Sequence, residues 1–353
     1  MFAHPKTQDP TSVILFCLVV DKVVSEHRLR EAFDQRVLGL RDSRGDLVYK
    51  KLLQYWTKFL GFYFWKSDKD FDVRNHVRKL DSNNFSMSTP TDEETAFKLI
   101  FPKLIDTPWK PHRSHWEILL LDSCKLSCSS GSDTKLGSLI IFRFDHALCD
   151  GFSILGIFKT LCQSQFTTVQ ASRAQNMSFL QMASFVLIFP IVMFQLLPIN
   201  KKQRILPKRE KCHNLLYDIS ESIPISLIKT IRRNNGVGFA AVLHSAVNAS
   251  ISRCLQHNGR ITSDTIGALT ILPDPKHPGG MGNHMKAFTE DYPLRTASLR
   301  ERLYKTDAVL KNASKDLGTT ASLYYPKILA HLPSSLIYRI TCLMQTRPSC
   351  FIS

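Results

Sequence analysis

Residues 138–155 read SLIIFRFDHALCDGFSIL. Leu139, Ile140, Ile141 and Phe142 form a short apolar run of the kind that builds a buried strand. Ile154, Leu155, Phe158, Leu161 and Cys162 then recur at helical spacing, so a helix follows on one apolar face. Asp150-Gly151 supplies turn chemistry between the two. The spacing therefore predicts strand, tight turn and helix, with His146 at the rim of a sheet. A neutral imidazole there can take a proton from an alcohol near pH 7. Asp150 can hold the loop or the ring in place, and Gly151, without a Cβ, leaves room for close approach. The same placement also suits a core histidine, hydrogen-bonded and inert.

The run Asp145-His146-Ala147-Leu148-Cys149-Asp150-Gly151 resembles the HHxxxDG motif of CoA-dependent acyltransferases. The nearer resemblance is to the wax ester synthase/diacylglycerol acyltransferase family. The resemblance makes His146 the catalytic base and puts Asp145 where the family has its first histidine. Three further segments carry it. FDVRNHVRKLD, residues 71–81, resembles the family's N-terminal Phe-Asp and His-Val-Arg. Trp116-Glu117 matches the family's Trp-Glu, with Asp106 ahead of it and Ser114-His115 in place of the usual Pro-Leu. Gly282-Asn283 resembles the family's Gly-Asn strand and places Asn283 near the active site. An Asn there can hydrogen-bond a developing oxyanion or fix a loop carbonyl. His76 is a second candidate base, in a charged and exposed-looking context.

The chain has 353 residues, 44% of them hydrophobic, and a formal net charge of +16. That balance favours anionic partners, namely a membrane surface or the phosphates of CoA. No zinc-finger spacing, RNP-like motif or long basic helix points to nucleic acid. The nine Cys are irregularly spaced, with no metal-ligand pattern, and suit reduced, cytosol-facing thiols. Cys149, inside the motif, is either a nucleophile or a small buried filler.

Residues 178–199 are mostly apolar and uncharged, about the length that crosses a bilayer as a helix. Pro190 interrupts them. Lys201, Lys202, Arg204, Lys208, Arg209 and Lys211 follow, against one acid, Glu210, as expected beside an anionic cytosolic leaflet. A single crossing would put His146 and the C-terminal half on opposite sides, so a re-entrant or monotopic insertion is preferred over a span. A buried core helix is the alternative.

The expected organisation is an N-terminal domain over residues 1–177, the hydrophobic segment 178–199, and a C-terminal domain over 200–353. The order of elements is a strand at 13–20, helical character over 21–50, and a densely aromatic stretch at 55–65 that is either core or lipid-contacting. Helices follow at 93–105, 222–235 and 237–256, the last with Phe239, Val242, Leu243, Ala246 and Val247 on one face and a hydrogen-bonded His244. Strands are expected over 260–274 and 282–294, then a helix over 295–318. The resemblance implies an α/β fold of two chloramphenicol-acetyltransferase-like sandwich domains, the second incomplete because the family's later strands are not recognised. It implies acyl transfer from acyl-CoA to a long-chain alcohol or diacylglycerol, with His146, Asp150, Gly151 and Asn283 in the site. No metal or cofactor is required, and the implied place is the endoplasmic reticulum membrane with the site facing the cytosol. Two other readings stay open: a truncated, inactive acyl-lipid-binding protein, and a soluble acyltransferase for a polar acceptor.

Overall fold

In the computed structural model, residues 13–81, 93–126, 135–165, 220–259, 263–273, 277, 279–315, 329–344 and 350–352 are described. The expected hydrophobic segment 178–199 and the basic cluster after it lie outside them. Among the described residues no helix is long and apolar enough to cross a membrane.

The organising element is a four-stranded sheet built on the run read first. Strand β6 (Lys135–Asp145) lies between β1 (Val13–Val20) and β5 (Trp116–Leu126), antiparallel to both, and β4 (Val77–Lys79) adds in parallel to β5. The central strands are apolar on consecutive positions because both faces of the sheet are covered. Ile118, Leu120, Ile140, Phe142 and Phe144 face one core. There they meet helix α1 (Glu26–Phe33) through Phe33 and helix α3 (Gly151–Leu161) through Ile154, Ile157 and Phe158. Leu119, Leu121, Leu139 and Ile141 face the other, against Phe97, Ile100 and Leu104 of helix α2 (Glu93–Asp106). Each such side chain removed from water stabilises the fold by about 1.5–3 kcal/mol.

Two expectations for this half need correction. Helical character over 21–50 is confined to α1 and a π-helical continuation, Asp34–Leu38. Of the two readings of the aromatic stretch 55–65, wholly buried core does not hold. The stretch is a hairpin, β2 (Gln54–Phe59) with β3 (Phe62–Ser67), forming its own two-stranded sheet. Tyr55 is buried, whereas Phe59, Leu60 and Phe64 are at least half exposed.

In the second half, helices α4 (Ile225–Asn235), α5 (Phe239–His257) and α6 (Leu299–Lys315) pack with a three-stranded sheet. Its order is β8 (Met285–Pro293), β7 (Thr265–Pro273), β9 (Cys350–Ile352). Strand β9 pairs in parallel with β7, so the C-terminal residues add a strand that sequence reading did not foresee. Helix α7 (Ser334–Met344) precedes it.

The apolar face of α5 is only partly the buried one. Phe239, Leu243 and Val247 are exposed, and Ala241, Val242, His244, Ser245, Asn248 and Ser252 are buried. Small residues let α5 approach Ile228 of α4 and Leu303 of α6 closely, and that contact outweighs the apolar stripe. His244 is buried against Tyr292, and among the described residues its Nδ1 has no hydrogen-bond partner, where a hydrogen-bonded ring was expected.

The two halves meet where the segment 277–284 reaches the start of α3. The Asp150 N–H donates to Gly282 O at 3.0 Å, and the Ser153 hydroxyl donates to the same oxygen at 3.0 Å. Gly280 fits this approach: its φ is +66°, and a Cβ there would come within 3.0 Å of Val48 O.

Candidate active site

Strand β6 ends in Asp145, and the chain turns through 146–149 before α3 begins. The Leu148 N–H closes the turn on Asp145 O at 2.9 Å. His146 emerges at the turn, half-buried.

Its ring is held from the second half of the chain. Asn283 Nδ2 donates to His146 O at 2.8 Å, and His146 Nδ1 lies 3.0 Å from Asn283 Oδ1. A carbonyl oxygen can only accept, which fixes the amide with Nδ2 on that side. Oδ1 then faces the ring and needs a proton on Nδ1. The neutral imidazole is therefore the Nδ1–H tautomer, with its lone pair on Nε2. Asn283 thus bonds the loop carbonyl and, with it, the ring.

Asp150 does not touch the His146 ring. It is the N-cap of α3, accepting from Ser153 N–H at 2.9 Å on Oδ1. The same oxygen lies 3.2 Å from His277 Nε2. His277 Nδ1 accepts from Gly279 N–H at 3.1 Å, which puts the ring proton on Nε2, directed at Asp150. The other carboxylate oxygen accepts from His284 N–H at 2.8 Å. Asp150, with no exposed surface, thus gathers three donors and fastens the segment that carries Asn283. Gly151 opens α3 with no atom within 4 Å of where a Cβ would stand. Among the described residues no packing contact requires a glycine there, and the space before it is open.

Asp145, just before His146, is buried in its own network. Trp56 Nε1 donates to Oδ2 at 2.9 Å, His115 Nδ1 lies 3.1 Å from the same oxygen, and Ala147 N–H donates to Oδ1 at 2.9 Å. Burial pushes its pKa up, but the bonds from His115, Trp56 and Ala147 outweigh burial and hold it below the ordinary carboxylate value. His115 stacks on Trp109, which also carries the Arg143 guanidinium at 3.8 Å from its ring centre. Arg143 and Arg78 both pair with Glu117 at 2.8 Å, so the Glu of Trp116-Glu117 is an ion-pair centre beside the site.

Two sequence candidates drop out. His76 is 4% exposed, not on an exposed strand, and its ring stacks between Phe71 and Trp116 at 5.0 and 4.5 Å. Its Nδ1 bonds Trp116 O at 2.7 Å, and burial holds its pKa down. Cys149 has no exposed surface, and burial, then the charges of Asp150 and Asp145, push its thiol far up. It is a filler, not a thiolate nucleophile. Sequence reasoning missed Trp56, Ser153 and His277 as site residues; Ser153 and His277 carried no local signal. Among the described residues no group of His, Cys, Asp or Glu is arranged to hold a metal ion.

Neither a protein-family model nor a curated protein sequence matches the chain. Solved structures do match it in fold. The wax ester synthase/diacylglycerol acyltransferase from Marinobacter aquaeolei VT8 superposes with a TM-score of 0.55 at 12% identity, over 96% of this chain and 76% of that one. The first condensation domain of the CDA synthetase gives 0.51 at 11% identity, over 87% and 69%. The same name of domain, from the calcium-dependent antibiotic synthetase in complex with substrate analogue 3a, gives 0.52 at 11%, over 94% and 73%. The chain therefore has the mixed α/β, two-domain fold of condensation domains and chloramphenicol-acetyltransferase-like acyltransferases.

Proposed function

We propose that the protein is an O-acyltransferase that moves a fatty acyl group from acyl-CoA to a long-chain alcohol or diacylglycerol. The observation that carries this is His146: a half-buried imidazole, capped at Nδ1 by Asn283, which leaves the lone pair on Nε2. Such a group is built to take one proton, and the fold it sits in is shared with a wax ester synthase.

In this reading His146 Nε2 accepts the hydroxyl proton as the alcohol oxygen attacks the thioester carbonyl carbon. The tetrahedral intermediate expels the CoA sulfur, which takes the proton back from Nε2–H, leaving an ester and free CoA. Asn283 keeps the lone pair on the reacting side through both transfers, and Asp150 positions Asn283 without meeting substrate. Open space before Gly151 gives the acyl group room. The thioester is already activated, so the base supplies what the reaction lacks and no cofactor is needed. Residues 178–199 and the basic cluster after them support a membrane location, the endoplasmic reticulum with the site toward the cytosol.

The test supplies membranes bearing the chain with labelled palmitoyl-CoA and either hexadecanol or diacylglycerol, with His146→Ala beside it. Ester that forms with the native chain and vanishes in the variant is expected, and its identity names the acceptor. Ester undiminished in His146→Ala would refute the site. No ester from folded protein that still binds acyl-CoA would favour an inactive acyl-lipid-binding protein, which the Asp145 replacement also suits.

A further inference from the structure

Hairpin β2–β3 presents an apolar tip that the acyl-transfer mechanism does not use. Register places Thr57 opposite Phe64 and Phe59 opposite Phe62, so three phenylalanines share one face. Phe59 is 65% exposed and Phe64 50% exposed. At the turn Leu60 is 81% exposed with φ +49°, followed by Gly61 at φ +84°. Positive φ at both turn positions is the pattern that Asn-Gly or Gly-Gly satisfies, and a leucine there is both strained and unburied. Nothing inside the fold accounts for that leucine, and backbone strain of this kind marks a functional constraint.

The charges on the two strands of the hairpin itself are of one sign, Lys58 and Lys66, and the acids Asp68 and Asp70 come only after its base. Residues 49–67, YKKLLQYWTKFLGFYFWKS, hold Lys50, Lys51, Lys58 and Lys66 and no acid. Lys51 lies over the Trp65 ring at 5.2 Å from its centre. A second copy meeting this hairpin would set lysine against lysine. A protruding leucine and phenylalanines backed by aromatic rings and lysines instead match a bilayer interface, where apolar tips enter, aromatic rings sit at headgroup depth and cations meet anionic lipid.

The hairpin also leads to the site. Trp56 on β2 bonds the Asp145 carboxylate next to His146, and Leu60 lies four residues on, roughly 13 Å along an extended strand. Helix α7 braces the tip, with Ser334 N–H donating to Gly61 O at 2.6 Å. Leu336, two residues on, is exposed.

We propose that the β2–β3 hairpin is a membrane-docking element that inserts Leu60 and the Phe59/Phe64 face into an anionic lipid surface and so sets the His146 site against the bilayer. The proposal goes beyond acyl transfer, and its test contains no turnover, so the two stand or fall separately. The full chain is sedimented with phosphatidylcholine vesicles and with phosphatidylcholine/phosphatidylserine vesicles. Binding is expected to favour the anionic vesicles. Leu60→Asn suits the turn backbone and leaves the fold intact, so a loss of roughly tenfold reports the apolar tip itself. Lys58→Gln and Lys66→Gln should each weaken anionic binding roughly fivefold. A second measurement separates the hairpin from any other lipid contact: Phe64→p-benzoylphenylalanine is irradiated with vesicles present. A lipid adduct at position 64 supports the proposal. Failure of the chain to bind vesicles, unchanged binding in Leu60→Asn, or a product that is a second copy or another protein instead of lipid would overturn it.

Discussion

Replacing Asp150 with Asn tests how the two halves of the chain make one site. The carboxylate accepts from Ser153 N–H, His277 Nε2–H and His284 N–H, and an amide cannot accept all three. The less costly orientation points Nδ2 at His284 N–H, leaving a buried donor without an acceptor at about 1–3 kcal/mol. The remaining two bonds lose their charged acceptor, at about 1 kcal/mol each. Roughly 3–5 kcal/mol is thus taken from the joint that carries Asn283. Asn283→Ala, in turn, removes two bonds from His146 worth about 1–3 kcal/mol together, or about 5- to 150-fold in kcat. If Asp150 acts only by placing Asn283, its effect on turnover runs through those same two bonds. The double variant Asp150→Asn/Asn283→Ala should then be no slower than Asn283→Ala alone, a coupling of about 1–3 kcal/mol. The assay is initial-rate ester formation at saturating acyl-CoA, with thermal unfolding followed to confirm folded protein. Losses in kcat that multiply would refute the reasoning, because they would give Asp150 a role in the chemistry that its geometry does not allow. So would Asp150→Asn with native stability and native rate.

Other expectations follow from the buried groups and from the turn. Iodoacetamide at pH 8 should modify the exposed Cys162 and Cys254 in the native protein and reach Cys149 only after unfolding; native labelling of Cys149 would contradict its burial. Burial lowers the pKa of His76, so the unfolded chain takes up its proton first as pH falls. Stability is complete above about pH 6.5 and declines below it, by at most about 1.4 kcal/mol per pH unit for one group. Denaturant titrations of His76→Gln between pH 7 and 5 should show a shallower decline, though not a flat one, since burial lowers His244 in the same sense. An unchanged slope would remove His76 from the account. Leu60→Asn should raise unfolding free energy by about 1 kcal/mol by relieving the positive φ, and a destabilised variant would mean that the leucine is packed, not strained.

The first sheet was legible because its strands are buried on both faces. An unbroken run such as Leu139–Phe142 admits few alternatives, and the turn and helix after it follow from Asp150-Gly151 and the spacing of Ile154, Phe158 and Leu161. What escaped was whatever depended on a distant partner. In FDVRNHVRKLD the charges hide the histidine: Arg74 pairs with Asp72 and Arg78 with Glu117 outside, while His76 turns inward to Phe71 and Trp116. On α5 the apolar stripe is real, but Phe239, Leu243 and Val247 of it are exposed, while Val242 packs with Ala241 against the neighbouring helices. The site residues Ser153 and His277 bond across 124 to 134 positions of chain, directly or through Asp150, and no local pattern encodes such a distance.

Two departures from the family pattern carried more information together than either did alone. Asp145 stands where a histidine is usual, and His115 stands where the usual Pro-Leu would place an apolar residue. Taken one at a time, each looks like a loss. In the structure they are hydrogen-bond partners, His115 Nδ1 to Asp145 Oδ2 at 3.1 Å, with Trp56 on the same oxygen. A carboxylate that is 5% exposed needs donors, and an imidazole that is 8% exposed needs a partner, so each substitution makes the other tolerable. Ser114 completes the exchange, its hydroxyl donating to Leu52 O at 2.6 Å. Asp145 and His115 thus read as a repacked support beside His146, as against an eroded catalytic pair. They leave untouched the ring whose Nε2 the proposed reaction needs. The distinction can be measured: Asp145→His should be worse than Asp145→Asn in stability, because it sets a second imidazole against His115, whereas an eroded pair would be repaired by the histidine.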